Sequence, residues 1–474
     1  MATFPQVDFL KEAGLKADRI LVPSDADFVA RQASYWSCGA RSLRPACIVQ
    51  PRSAREVAAA VRALVSARVP FAVRSGGHTA WASANTIGAD GVTIDLGYMD
   101  WVRLPSDEEG TGKTVNLGPG NQWGRVYSEL ALHGLTVAGG REGNVGVAGL
   151  ILGGGMAFFT GRYGLACDNI VEYEVVLADG RIVSARKDGD HANLFRALKG
   201  GSGNFGIVTN FRMRTLPLPP VWAGMTIHPK EAIPDAIRAL KDFTDDMWSD
   251  PDFKDIVVIG ALIQIAGVEQ APAYKKWLEM PTITTTCKMT TIPQLTMDYS
   301  QAKDYHNTWF TATFKNDVRI VAKAAELHDQ LVKTLKAFIP DGDFVTQCLF
   351  QPFPRLFGQH SAAAGGNMLN IERQSHDGLL WLAVAQVRTP EQERFAYTLV
   401  QDWVHAVRQF AAIIGGNLEW TYLNYADRSQ DPLTNYGLEN ILFMKDVAAK
   451  YDPEQVFQTL CSGGFKVSNV KLPN

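Results

Sequence analysis

Between Gly139 and Gly155 the chain places eight glycines in seventeen residues: Gly-Gly-Arg-Glu-Gly-Asn-Val-Gly-Val-Ala-Gly149, then Gly153-Gly154-Gly155. Glycine loses more conformational freedom on folding than any other residue, so a run this dense orders only when something repays that cost. A solvated, mobile loop would explain the glycines alone. It does not explain Val145, Val147, Leu150, Ile151 and Leu152, interleaved with them and in need of burial. The stretch is therefore expected to lie against a flat or phosphorylated ligand that the backbone approaches closely.

A second glycine turn stands earlier. Residues 46–50 read as a short buried strand. Ser53-Ala-Arg-Glu56 has the form of a capping box, and Val57, Val61, Leu64 and Val65 follow at helical spacing. Residues 70–73 read as a further strand. A strand–helix–strand unit delivers its next loop to the carboxyl end of a parallel strand, where α/β folds bind ligands. That loop is Arg74-Ser75-Gly76-Gly77-His78. Its paired glycines permit positive φ and expose N–H groups suited to phosphate oxygens, with Arg74 adding charge or holding the turn. Gly201-Ser-Gly-Asn-Phe-Gly206 matches the dinucleotide pattern G-x-G-x-x-G in letters only, since a helix is expected before it and a strand after it. A nicotinamide site is rejected, and a tight helix-to-strand turn is expected.

Downstream, strands are expected at 92–96 and 114–117, a hairpin at 169–185 around Asp179-Gly180, a helix at 320–338, and a strand then a helix (438–451) in the tail from Trp420. Leu216-Pro-Leu-Pro-Pro220 reads as a boundary. A net charge of -3 gives no reason to expect nucleic acid or an anionic membrane as partner. No apolar run reaches bilayer length, and the first residues lack the form of a secretory signal, so a cytoplasmic location is expected unless a signal has been removed. The six cysteines and nine histidines show no ligand spacing, so no metal site is expected; Cys38 and Cys47 could pair in an oxidising compartment.

Taken in order, Arg74-Ser-Gly-Gly-His78, Gly143-Asn-Val-Gly-Val-Ala-Gly149, Gly153-Gly-Gly155, Tyr163-Gly-Leu-Ala-Cys-Asp-Asn169, Gly203-Asn-Phe-Gly206-Ile207-Val208, Tyr422-Leu-Asn424-Tyr425-Ala-Asp427 and Lys450-Tyr-Asp-Pro453 resemble the berberine bridge enzyme-like oxidases of the vanillyl-alcohol-oxidase (PCMH-type) flavoprotein superfamily, most closely the fungal members. The resemblance implies an α+β fold: a PCMH-type FAD-binding domain from both chain ends (1–218, with 419–474 returning to it) and a central substrate domain (219–418) of antiparallel sheet plus helices. It implies FAD covalently linked through His78. In many members a cysteine adds a second bond; its place here is taken by Glu142, so no cysteinyl link is expected. Ala148 is a milder departure, standing where the family motif has glycine.

Cofactor contacts are expected from Arg74, Ser75, Gly76, Gly77, Gly143, Val145, Gly146, Gly149, Gly153, Gly154, Tyr163, Asn169, Gly206, Ile207, Asn424 and Tyr425. Alternation along a tail strand would put Tyr422 and Asn424 on one face and Tyr425 on the other; the resemblance implies that this strand lies beside the flavin, which makes Tyr422 the first choice for catalytic base. Such a role needs a nearby cation or a second acid-base group, because a free tyrosine has a pKa of about 10. Trp309, Phe310, Gln351, Asn367 and Asn370 are candidates to face substrate, though each taken alone reads first as structural. The resemblance implies hydride transfer from a small organic substrate (alcohol, amine or ring-closing precursor) of secondary metabolism to flavin N5, then reoxidation by O₂ to H₂O₂, with access set by Val145. The chain is expected to act as a monomer. A carbohydrate oxidase is the runner-up, and a non-redox flavin-holding pericyclase or binding protein the reading from another class.

Overall fold

The computed structural model describes residues 5–105, 113–249, 256–258 and 261–471. The N-terminal unit forms as its sequence requires. Helix Ala54–Ser66 starts where Ser53 accepts a hydrogen bond from Glu56 N at 3.3 Å, and it buries Val57, Ala58, Ala60, Val61 and Leu64. The Glu56 carboxylate accepts from Arg52 N rather than Ser53 N, so the cap is not fully reciprocal. The flanking strands Cys47–Val49 and Phe71–Arg74 are parallel but not adjacent: Val92–Asp95 inserts between them and pairs with both. In the order Ile20–Leu21, Cys47–Val49, Val92–Asp95, Phe71–Arg74, the last strand is an edge, and the loop Ser75–His78 leaves its carboxyl end.

A five-stranded antiparallel sheet follows in the order Val102–Arg103, Thr114–Leu117, Ile207–Arg214, Ile170–Val176, Ile182–Arg186. The expected hairpin is present, its turn held by Arg181 N on Asp179 Oδ1. Helix Ala192–Leu198 precedes the Gly201–Gly206 turn and strand Ile207–Arg214 follows it, so the helix-to-strand reading holds.

Later strands build separate ladders. Phe344–Phe353, Gly378–Val387, His306–Lys315 and Asn417–Leu418 form one antiparallel sheet. Its two faces differ. Trp381, buried on one, packs edge-on against Trp403 of helix Pro390–Ile413. The other carries Val345, Gln347, Leu349 and Gln351, in register with Gln386, Val384, Leu382 and Leu380. Among the described residues, no ladder joins strands before residue 218 to strands between 221 and 418.

The tail departs from expectation. Only Asn417–Leu418 is extended and paired; Leu423–Tyr425 is a 3-10 turn closed by Tyr425 N on Tyr422 O at 3.0 Å. Its N–H groups bond locally instead of to a ladder, so strand alternation does not separate Tyr422 and Asn424 from Tyr425. Helix Leu438–Tyr451 forms as expected. Cys38 and Cys47 are unpaired thiols. No described helix is long and apolar enough to cross a membrane, and no group of three or more His, Cys, Asp or Glu gathers among the described residues.

Candidate active site

A cavity of about 750 Å³ opens between the glycine loops and the side-chain face of the central sheet, within the range that holds cofactors and small substrates. One wall is backbone. Ser75–His78, Val145–Gly146, Gly149, Gly203 and Gly206 contribute to it. A Cβ added to Gly76 would lie 2.6 Å from Gly146 Cα and N, and one added to Gly146 would lie 2.4 Å from Gly76 N. The two loops therefore touch main chain to main chain, and Gly77 holds φ +74. Such a wall offers peptide N–H groups where side chains would stand, which suits the phosphates and flat ring of a dinucleotide.

His78 ends this wall. Its ring stacks on Trp36, 4.3 Å between centroids and 8° from parallel. Nε2 is buried without a hydrogen-bond partner, and Glu142 Oε2 lies 3.5 Å away. Burial, with a smaller effect from Lys303, lowers the imidazole to about 4. At neutral pH the ring is thus uncharged and keeps one lone pair: burial outweighs the loose approach of the carboxylate. Burial likewise pushes Glu142 up, against hydrogen bonds from Asn144. A neutral imidazole at the edge of a peptide-lined cavity fits a flavin dinucleotide attached through histidine.

The opposite wall is made of side chains: Trp309, Gln347, Leu349, Gln351, Leu382 and Gln386. Between the walls stand Tyr422, Asn424 and Tyr425. Tyr422 is fully buried; its oxygen accepts from Met156 N (2.9 Å) and Asn424 Nδ2 (3.1 Å), and burial pushes its pKa up to about 12. Tyr425 has the cationic partner. Arg141 Nη2 donates to its oxygen at 2.7 Å, Arg141 Nη1 donates to Gln351 Oε1 at 2.8 Å, and Gln351 Nε2 approaches Tyr425 at 3.4 Å. The sequence asked for a tyrosine beside a cation or a second acid-base group. The structure places the cation on Tyr425, not on Tyr422.

Ser75, Gly76, Gly77, His78, Val145, Gly146, Gly149, Gly206, Ile207, Tyr422, Asn424 and Tyr425 come together around this cavity; Arg74, Gly143, Gly153, Gly154, Tyr163 and Asn169 do not line it. Arg74 is buried behind the loop, bonded to Arg31 O and Ser34 Oγ and lying 3.7 Å over Tyr35. Bare Cα atoms at Gly153 and Gly154 make room for Asn424 and Leu369, and Gly143 packs near Met297. Tyr163 is partly exposed beside Phe159, while Asn169 ties down the carbonyls of Tyr163 and Leu165. Trp309 and Gln351 reach the cavity. Phe310 packs on Tyr397, Asn367 bonds Asp168, and Asn370 adopts φ 61 near Gly437. Sequence reasoning missed Trp36, Arg141, Gln347 and Gln386; only Arg141, inside the glycine run, carried a local signal.

Residues 45–186 match the FAD binding domain family. Over 482 residues the chain is 34% identical to an FAD-dependent monooxygenase of Aspergillus calidoustus, spanning 98% of this chain and 90% of that one. The fold superposes on berberine bridge enzyme-like protein 1 of Physcomitrella patens with a TM-score of 0.74, at 20% identity and 98% and 100% coverage. It also superposes on the glucooligosaccharide oxidase of Acremonium strictum, which carries a 6-S-cysteinyl, 8α-N1-histidyl FAD, with a TM-score of 0.72, 20% identity and coverage of 95% and 97%.

Proposed function

The chain belongs to the FAD-dependent oxidoreductases of its fungal monooxygenase relatives and has the fold of the berberine bridge enzyme-like proteins, and from that premise we propose that it oxidises a small, uncharged organic substrate of secondary metabolism, with FAD joined to His78 and dioxygen as electron acceptor. The observation that carries this reading is Tyr425, set on the cavity between Arg141 and Gln351. When bound, FAD supplies hydride acceptance at N5. This chain's residues do the rest. Tyr425 Oη receives the substrate O–H or N–H proton, which is what makes hydride departure easier. Arg141 supplies the counter-charge for that oxygen, and its second nitrogen fixes Gln351. Tyr422 holds Met156 N and Asn424 in place, a positioning role. Val145 lines the cavity from the backbone wall, where a small side chain leaves room for oxygen. We read residues 1–218 and 419–474 as the cofactor domain and 219–418 as the substrate domain.

A carbohydrate oxidase has one observation in its favour: Gln347, Gln351 and Gln386 offer amide groups to hydroxyls. Trp309, Leu349 and Leu382 interrupt them and favour a flatter, less polar molecule. Anaerobic mixing with aromatic alcohols and with oligosaccharides, followed by a peroxide assay in air, tests the proposal. Aromatic alcohols are expected to bleach the flavin band and, in air, to release peroxide. A response confined to sugars would overturn the substrate class, and substrate conversion without bleaching would overturn the redox reading.

A further inference from the structure

Glu142 stands in the glycine loop with its carboxylate turned toward His78, and nothing assigned so far uses it. We propose that Glu142 orients His78 and takes its Nε2 proton while the other ring nitrogen, Nδ1, bonds to the flavin. The proposal rests on the covalent His78 linkage proposed above.

Three observations carry it. Glu142 Oε2 lies 3.5 Å from His78 Nε2, which is buried and has no hydrogen-bond partner. The carboxylate is held in place by Asn144, whose N donates to Oε2 and whose Nδ2 donates to Oε1, both at 2.9 Å; Asn144 Nδ2 also reaches Ser300 Oγ at 3.2 Å. The stacked Trp36 ring opposes turning of the imidazole out of its plane about Cβ–Cγ, so the edge bearing Nε2 stays toward Glu142. An imidazole has one N–H and one lone pair, and an acceptor at one nitrogen selects the tautomer with the lone pair on the other. Burial, which pushes the Glu142 carboxyl up, also makes its anion a stronger base for that proton.

The step balances. Nδ1 of His78 forms a C–N bond to the 8α carbon, which gives up one C–H bond. One proton leaves that carbon and one leaves Nε2 to Glu142. The two electrons pass through the ring system to dioxygen, which with two protons becomes hydrogen peroxide. No second protein–flavin bond is needed, and the carboxylate serves the attachment that exists.

The test uses the full chain prepared without flavin and then given FAD in air. Covalent incorporation is followed as flavin fluorescence retained by the denatured chain. Glu142→Gln, close to isosteric, is expected to bind FAD but to incorporate it covalently about 10²-fold more slowly or worse. Glu142→Ala should be equally slow and should recover about tenfold in the presence of formate, a rescue that a merely structural role would not show. Wild-type incorporation by Glu142→Gln overturns the proposal, as does an alanine variant that binds FAD yet gains nothing from formate. Reversible FAD binding with no covalent flavin in the wild type overturns the His78 linkage itself, and so is distinguishable from a failure of Glu142 alone.

Discussion

The two walls of the cavity are built on opposite terms. On the cofactor side the chain removes side chains until peptide groups form the surface, and Gly76 and Gly146 touch without a Cβ between them. On the substrate side it adds them, with Trp309, Gln347, Gln351 and Gln386 projecting from one face of three paired strands. The first wall is defined by backbone and tolerates little change in volume. The second is defined by alternating side chains on a rigid sheet and can be re-lined without moving the scaffold. Specificity can therefore vary on one side while the redox chemistry stays fixed on the other.

The contrast is sharpest at Tyr425, where both walls meet. Tyr425→Phe should slow anaerobic flavin reduction by about 10²-fold or more, with FAD content unchanged. Tyr422→Phe removes a hydroxyl that, on the roles proposed above, holds Met156 N and Asn424 in place, and should cost far less. Stopped-flow reduction of the two variants decides between them, and equal losses would dissolve the distinction drawn here. On the cofactor wall, Gly146→Ala forces a methyl group to 2.4 Å from Gly76 N. It should destabilise the fold by about 1–3 kcal/mol and weaken FAD retention, seen as a lower melting temperature and a paler purified protein. On the substrate wall, Gln347→Ala should leave melting and flavin content as they are and change KM by roughly severalfold. A variant that loses flavin there would show that the walls are not independent.

The smallest effect is in pH. Burial holds His78 near 4 in the folded, flavin-free chain, against about 6.5 when unfolded. The unfolded chain therefore binds the extra proton in that window, so stability is complete above about pH 6.5 and is lost as pH falls toward about 4. Melting of flavin-free wild type and His78→Gln from about pH 7 to 4.5 should show the steeper decline in the wild type. Parallel curves would contradict it.

The same asymmetry explains what could be read from the sequence. The backbone wall was legible because glycine identity itself encodes it: Ser75–His78 and Val145–Gly149 are contiguous, and each announces a side-chain-free surface. Tyr425 was ranked behind Tyr422 because a 3-10 turn and a strand look alike over four residues, and because its cation comes from Arg141, 284 positions away. Gln347 and Gln386 carried no signal, since strands Phe344–Phe353 and Gly378–Val387 become neighbours only once their register is known. Gly153 and Gly154 were expected at the ligand for the right reason, a need for close approach, but what approaches is Asn424 and Leu369.

The contact between Gly76 and Gly146 also has a consequence for descent. Neither position can gain a side chain in one mutational step without striking the other's main chain, and gaining one at both makes the collision worse, so the pair has no compensating partner through which to drift. Gln347, Gln386 and Trp309 meet other side chains (Gln301, Asn307, Trp36 and Tyr425) rather than main chain, so an exchange there has neighbours that can change with it. Lineages diverging from this chain should therefore carry their differences on the sheet and inherit the glycine contact intact, keeping a common electron-transfer centre while what it acts upon changes one residue at a time.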